Sequence, residues 1–500
     1  MKAGFLHLAK APKRLKLIAG GLGLATLVIP AVLSSYNYSV IQLLLAMILL
    51  DVCLYPTFRY LLRKEGLPVL PLLCLAFAVQ YAIPIFTQEP WVEITDGFHY
   101  LDDRDIVVAL VLTIIGVVAL QVSYYALNFR KTVTLVPRVR LPLNVRRSEI
   151  FCLSVFVLSL LLPRVQSVLS EETFLQFSSV ISLLQNQSIV AIGILGWLAF
   201  TERGNHWHKI LLYVVVAVAA AKGFASTMLE TMMAPLAVLF MSKWFYTRRL
   251  PISMLVLITA LFLFLSPVKK DIRISNQAAG IRSTADLSIP DRATDWISQS
   301  VDYWSDAFSG RRDLAETSSD AASRTDLIHS FAHIYSLTPS VVPYQYGDTY
   351  SYLAIAWIPR IVWPEKPIAK GANNFFAVAY NVSTEESVKT STFGVTLIGE
   401  GYMNFGIGGV ILVMAFLGLA TSLLEDIFAG SESGPGGRAI FLAAFVYFLN
   451  GIGSSAEQMF GGILQNLFCG CLLLWWAREK VARPVRAVRP SLPSWLRTAE

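Results

Sequence analysis

Residues 105–127 read Asp-Ile-Val-Val-Ala-Leu-Val-Leu-Thr-Ile-Ile-Gly-Val-Val-Ala-Leu-Gln-Val-Ser-Tyr-Tyr-Ala-Leu, with the single charge at the first position. About 20 apolar residues in an α-helix match the hydrocarbon thickness of a bilayer, where every backbone polar group must be satisfied internally. Comparable stretches lie near 15–33, 39–57, 67–87, 148–166, 176–200, 209–224, 229–246, 251–267, 396–424, 438–456 and 459–477. The expectation is an all-α polytopic membrane protein of about 12 transmembrane helices. Composition agrees, because 55% hydrophobic and 15% charged residues with a mean hydropathy of +0.56 exclude a set of soluble domains. The short pair 209–224 and 229–246, joined through Lys222-Gly-Phe224, reads either as two spans or as one broken hairpin.

The charges divide the chain further. Counted from a cytoplasmic N-terminus, the segments assigned to the inside hold 26 of the 41 Lys and Arg, whereas the short outside loops hold Arg104, Arg164 and Lys222. This bias predicts both termini in the cytoplasm and a large outside loop at 268–395, which would be periplasmic for a bacterial inner membrane. The resulting division is spans 1–9 in 1–267, the loop in 268–395, spans 10–12 in 396–477 and a basic tail in 478–500. Although the N-terminus has the charged and apolar regions of a signal peptide, it lacks a small-residue cleavage site and reads as a first anchor helix. The net charge of +7 is scattered beside apolar runs, so no nucleic-acid partner is expected. The five cysteines all fall in apolar segments, away from any bridge in the loop.

Within the loop, twelve basic residues face fourteen acidic ones, so specific sites have to be argued singly. Trp296, Ile297, Val301, Trp304 and Phe308 recur at helical spacing, which predicts a helix lying either at the membrane interface or on the loop's own core. A second amphipathic helix is expected over Ser319–Leu337, placing Asp326, His329 and His333 on one face, with Arg324 near its start. Two histidines four apart are a partial metal motif, an acid–base pair or ordinary surface residues; a zinc site needs a third ligand, and no metal or other cofactor is expected. Tyr352–Pro364 is apolar but too short to span, and it embeds Arg360, whose charge there calls for a partner, an anionic ligand or headgroups. Glu365, Lys366 and Lys370 follow it.

The chain returns to the membrane through Gly399-Glu-Gly-Tyr-Met-Asn-Phe-Gly406, with Glu400 inside an apolar helix and Tyr402 and Asn404 beside it. A carboxylate at membrane depth is a candidate functional group. Lys222, Glu230 and Glu457 are expected near the same level on other spans. An outward-facing basin of this kind suits a lipid-linked anionic substrate, without separating an enzyme from a transporter.

Tyr346-Gly-Asp-Thr-Tyr350, Ile358-Pro-Arg-Ile-Val-Trp-Pro-Glu-Lys-Pro367 and the 399–406 run together resemble the polysaccharide repeat-unit polymerases of the Wzy-dependent pathway, relatives of the O-antigen ligases. The likeness is densest over about 324–424 and includes an arginine and a glycine at Arg360 and Gly371. It implies a membrane glycosyltransferase that moves a growing glycan between undecaprenyl-diphosphate-linked oligosaccharides at the periplasmic face, without cofactor, alongside a chain-length regulator and a flippase. Arg324 and Arg360 match arginines placed on the diphosphate, and Glu400 matches the family's helix start. Glu400 or His329 would be the base; Lys366, Lys370, Tyr402, Asn404, Lys222 and Glu230 would contact substrate. One departure is Lys222-Gly-Phe224, where relatives often carry an arginine next to small residues. A ligase and a lipid-oligosaccharide flippase are the alternative functions.

Overall fold

The computed structural model describes residues 38–63, 67–95, 97–129, 138–166, 171–225, 229–268, 272, 289–312, 325–356, 358, 362–363, 365–367, 371–390, 393–430 and 432–479. The expected span at 15–33, the basic tail beyond 479, and Arg324, Arg360 and Lys370 lie outside these residues.

The apolar stretches form α1 (Val40–Arg63), α2 (Val69–Thr87), α3 (Asp103–Phe129), α4 (Val145–Gln166), α5 (Glu171–Phe200), α6 (His206–Ala225), α7 (Leu229–Thr247) and α8 (Ile252–Leu265). They continue as α9 (Ile289–Phe308), α10 (Ile328–Leu337), α11 (Gly371–Ala379), α12 (Leu397–Phe428), α13 (Gly434–Gly451), α14 (Ala456–Phe460) and α15 (Ile463–Ala477). Among the described residues seven helices are long and apolar enough to cross a membrane: α1, α2, α3, α5 from Val180, α6, α12 and the α14–α15 unit. The protein is thus an all-α membrane protein, apart from one antiparallel hairpin, β1 (Trp91–Ile94) with β2 (Gly97–Tyr100), that periodicity in the sequence did not reveal. The 209–224 and 229–246 stretches fold as two separate helices, α6 and α7, packed on each other.

The main core is an apolar cluster with α3 and α12 at its centre, and a smaller one joins α7, α8 and α9 around Trp296. The α3–α12 contact depends on small residues, as helix pairs in membranes do, because lipid is as apolar as leucine and only close packing favours association. An ideal Cβ on Gly418 of α12 would stand 2.2 Å from the Leu120 carbonyl oxygen of α3, so no larger residue fits. Two polar groups inside this bundle are paired across helices: Gln121 Nε2 donates to the Val52 carbonyl at 2.8 Å, and the Tyr124 hydroxyl donates to Glu425.

Helix α9 forms where the Trp296–Phe308 periodicity predicts it, starting earlier, at Ile289. Trp296, Ser300, Tyr303 and Ala307 are buried, whereas Ile297, Val301 and Phe308 point outward. The indole N–H groups of Trp296 and Trp304 donate to the Leu265 and Phe264 carbonyls, at 3.0 and 3.2 Å, which satisfies the last turn of α8. The second loop helix is shorter than the Ser319–Leu337 expectation. It begins at Ile328, and Asp326 precedes it, because the Asp326 carboxylate is used to receive the His329 backbone N–H at 3.3 Å.

Candidate functional site

The site around Glu400 is built by a break in α12. Thr396 opens the helix, its hydroxyl accepting the Gly399 N–H at 2.9 Å. The helical path is interrupted at Phe405 and Gly406, the latter at φ 59° and ψ −140°, a conformation open to glycine. The break lets the first two turns fold against the next ones, and an ideal Cβ on Gly409 would lie 1.8 Å from the Gly401 carbonyl oxygen. Glu400, Tyr402 and Asn404 are thereby turned into the protein.

Glu400 is fully buried, and each of its carboxylate oxygens is engaged: the Thr349 hydroxyl donates to Oε1 at 2.8 Å and the Ala456 N–H to Oε2 at 2.6 Å. Asn404 completes the network. Its amide nitrogen donates to the Glu400 carbonyl at 2.8 Å and to Thr349 Oγ1 at 2.7 Å, while its oxygen accepts the Gly347 N–H at 2.8 Å. Tyr402 packs its ring among Phe331, Tyr335 and Tyr344. Burial, and then the charge of Glu400, raise the Tyr350 hydroxyl above the usual phenol range, so Tyr350 stays neutral beside the carboxylate. The expected Glu400–Tyr402–Asn404 grouping is therefore present, and the contacts given to it are internal ones that tie the Tyr346–Tyr350 run to α12 and α14.

Glu457, on the first turn of α14, is the second carboxylate here, close enough to act on Glu400 through its charge. The backbone N–H groups of Ala372 and Gly371, which open α11, donate to it, yet its Oε1 is enclosed without a hydrogen-bond partner.

The expected histidine pair separates into two environments. His329 is 1% exposed, with Nδ1 2.5 Å from Asp326 Oδ2 and Nε2 2.8 Å from the Tyr38 hydroxyl. His333 Nε2 donates to the Tyr380 carbonyl at 2.9 Å, while Nδ1 is buried and unpartnered. Burial lowers the His333 pKa below the ordinary imidazole value; the Tyr380 carbonyl opposes that shift and the nearby His99 adds to it. Among the described residues no three His, Cys, Asp or Glu side chains gather as metal ligands.

Lys366 does not present a cation to an open surface. It is buried, donating to the Ala356 and Ile358 carbonyls at 2.8 and 2.9 Å, and it lies over the Tyr352 ring at 5.0 Å. Its ammonium thus ties together the apolar stretch that follows the one-turn helix Leu353–Ala356. The expected substrate contact thus has its ammonium engaged within the protein, because buried carbonyls outside regular helix need a donor.

Lys222 and Glu230 meet elsewhere, in a cavity of about 400 Å³ between α4, α5, α6, α7 and α13. Gln185, Asn186, Tyr447 and Asn450 add polar groups to walls otherwise formed by residues such as Phe156 and Val446. The Lys222 ammonium donates to the Ser159 carbonyl at the cavity wall. Gln185, Asn186 and Asn450 were not singled out in the sequence, although polar residues within apolar spans are themselves a signal.

A family model described as a domain of unknown function, DUF8712, matches residues 137–480. The chain belongs to this family. The matched stretch holds the Lys222 cavity, His329, Glu400 and Glu457, and leaves out α1 to α3. No curated protein and no solved structure matches the chain.

Proposed function

We propose that this DUF8712 protein is a membrane glycosyltransferase, a repeat-unit polymerase that extends undecaprenyl-diphosphate-linked oligosaccharides at the periplasmic face of a bacterial inner membrane. In this reading the chain crosses the membrane about 12 times with both ends inside, and residues 268–395 are exposed outside.

The observation that carries the reading is the cavity at Lys222. A volume of about 400 Å³ between apolar helices, with one ammonium, one carboxylate, amides and a phenol set in apolar walls, suits a ligand that combines an anionic group for Lys222, hydroxyls for Glu230 and the amides, and a hydrocarbon chain. Lys222 would neutralise part of the diphosphate charge, and the amides would take sugar hydroxyls. Glu400 holds the loop–helix junction in shape. The resemblance of 346–350, 358–367 and 399–406 to the polymerases supplies the substrate class, and a chain-length regulator and a flippase would be its partners.

A deletion strain tests this directly. Loss of polymer with accumulation of single lipid-linked repeats is the expected result, reproduced by Lys222→Met at normal protein abundance. Accumulated lipid-linked polymer would mark a ligase instead, and an unchanged glycan profile would remove the glycosyltransferase reading.

A further inference from the structure

We propose that Glu457, and neither Glu400 nor His329, is the group that takes the proton from the attacking sugar hydroxyl; the inference rests on the glycosyltransferase reading above. A general base needs an oxygen or nitrogen with a lone pair not already committed to another donor. Each Glu400 oxygen already takes a donor, the Thr349 hydroxyl on one and the Ala456 N–H on the other, and the lone pairs that remain are enclosed in a side chain with no exposed surface. His329 has both ring nitrogens engaged, by Asp326 and by Tyr38. Glu457 alone of the three keeps an acceptor without a partner: Oε1 is buried and unmatched, in a side chain that is 2% exposed.

An acceptor left in this condition is expensive, because a buried unpaired polar group costs about 1–3 kcal/mol and more when it carries charge. Orphaned acceptors of this kind call for a functional reason. The rest of the carboxylate is held in place. The Ala372 and Gly371 N–H groups at the start of α11 donate to it, and an ideal Cβ on Gly371 would stand 3.9 Å from Oε2, in ordinary van der Waals contact. The α14 helix that carries Glu457 is fixed by the Ala456 N–H bond to Glu400 and by packing on the turns at 348–350 and 353–356. One oxygen is anchored and one is left for a donor.

The step balances without any further reagent. The acceptor O–H bond breaks and its proton passes to Glu457 Oε1 as the acceptor oxygen bonds the anomeric carbon. The bond from that carbon to the diphosphate oxygen breaks, and the lipid diphosphate leaves with the electron pair. Glu457 returns the proton to water.

The test uses the full-length protein in membrane vesicles from a deletion strain, supplied with lipid-linked repeat units and read as chain length, rate per folded molecule and membrane abundance. Glu457→Gln is expected to lower the rate per molecule by about 10²–10⁴-fold, the usual contribution of a general base, and to abolish the acid limb of the pH–rate profile. Glu457→Asp should restore part of the rate. Glu400→Gln is expected to act mainly on abundance. Full rate per molecule in Glu457→Gln, even at reduced abundance, overturns the proposal and leaves Glu457 a structural residue. A wild-type protein with no polymerising activity, from a strain whose glycan is normal, overturns the underlying reading as well and is recognisable because no variant is then needed to see it.

Discussion

Replacing Asn404 by alanine removes one side chain that serves three others. Asn404 is fully buried, and its three bonds are short, at 2.7 to 2.8 Å. Without it the Gly347 N–H loses its acceptor at a turn held at φ 100°, and the Thr349 hydroxyl loses the donor that orients it toward Glu400. The Glu400 carbonyl also loses a donor. A net hydrogen bond is worth about 1 kcal/mol, and an orphaned buried group costs about 1–3 kcal/mol, so the sum is roughly 2–4 kcal/mol. Asn404→Asp should cost at least as much, because a carboxylate turns the donor toward Thr349 and the Glu400 carbonyl into a second acceptor facing oxygen. Equilibrium unfolding in mixed micelles of SDS and mild detergent would measure both. If Asn404→Ala unfolds at the wild-type midpoint, the three bonds do not stabilise the junction and the account of Glu400 as its centre fails.

Two neighbouring glycines give an internally controlled pair: Gly409→Ala meets the Gly401 carbonyl and should abolish or sharply reduce folded protein by size-exclusion yield, whereas Gly408→Ala, with nothing within 4 Å, should be neutral or gain up to about 1 kcal/mol. His333 gives a pH dependence. Its folded pKa lies below the unfolded value, so its contribution is fully present above the unfolded imidazole pKa of about 6.5 and is lost as pH falls from there through the lower folded value. Thermal unfolding in detergent should therefore weaken on acidification in that window, and His333→Gln should flatten the slope. Helix α9 should lie on lipid through Ile297, Val301 and Phe308. Nitroxides at these positions in nanodiscs should be relaxed by oxygen more than by a water-soluble nickel complex, and the reverse should hold at Ser298 and Asp302; equal accessibility on both faces would refute the placement.

Much of the fold was legible because a bilayer accepts few solutions. Eleven of the apolar stretches found by length alone coincide with described helices, since hydrocarbon forces backbone hydrogen bonds inside each segment. The α9 helix was legible from its tryptophans. The β1–β2 hairpin was not, because four exposed or half-exposed residues per strand leave little periodic signal. The start of the His329 helix differs for a local reason: Asp326 completes a helical pattern on paper, while its carboxylate takes the His329 N–H and the helix starts only at Ile328.

The sequence by itself determined that this is a helical membrane protein, and it singled out Glu400, Lys222 and Glu457 as ionisable residues in or beside apolar stretches. Hydropathy and charge spacing carry that information one residue at a time. Only the tertiary structure decided which of these groups are committed to partners. Glu400, Asn404, His329 and Lys366 spend their hydrogen-bonding capacity on carbonyls, amides and hydroxyls distant in the chain, whereas Lys222 and Glu230 line a cavity and Glu457 keeps one oxygen bare. The physical reason is that a side chain's type sets how many bonds it can make, but the packing of remote segments sets how many of them the protein has already filled.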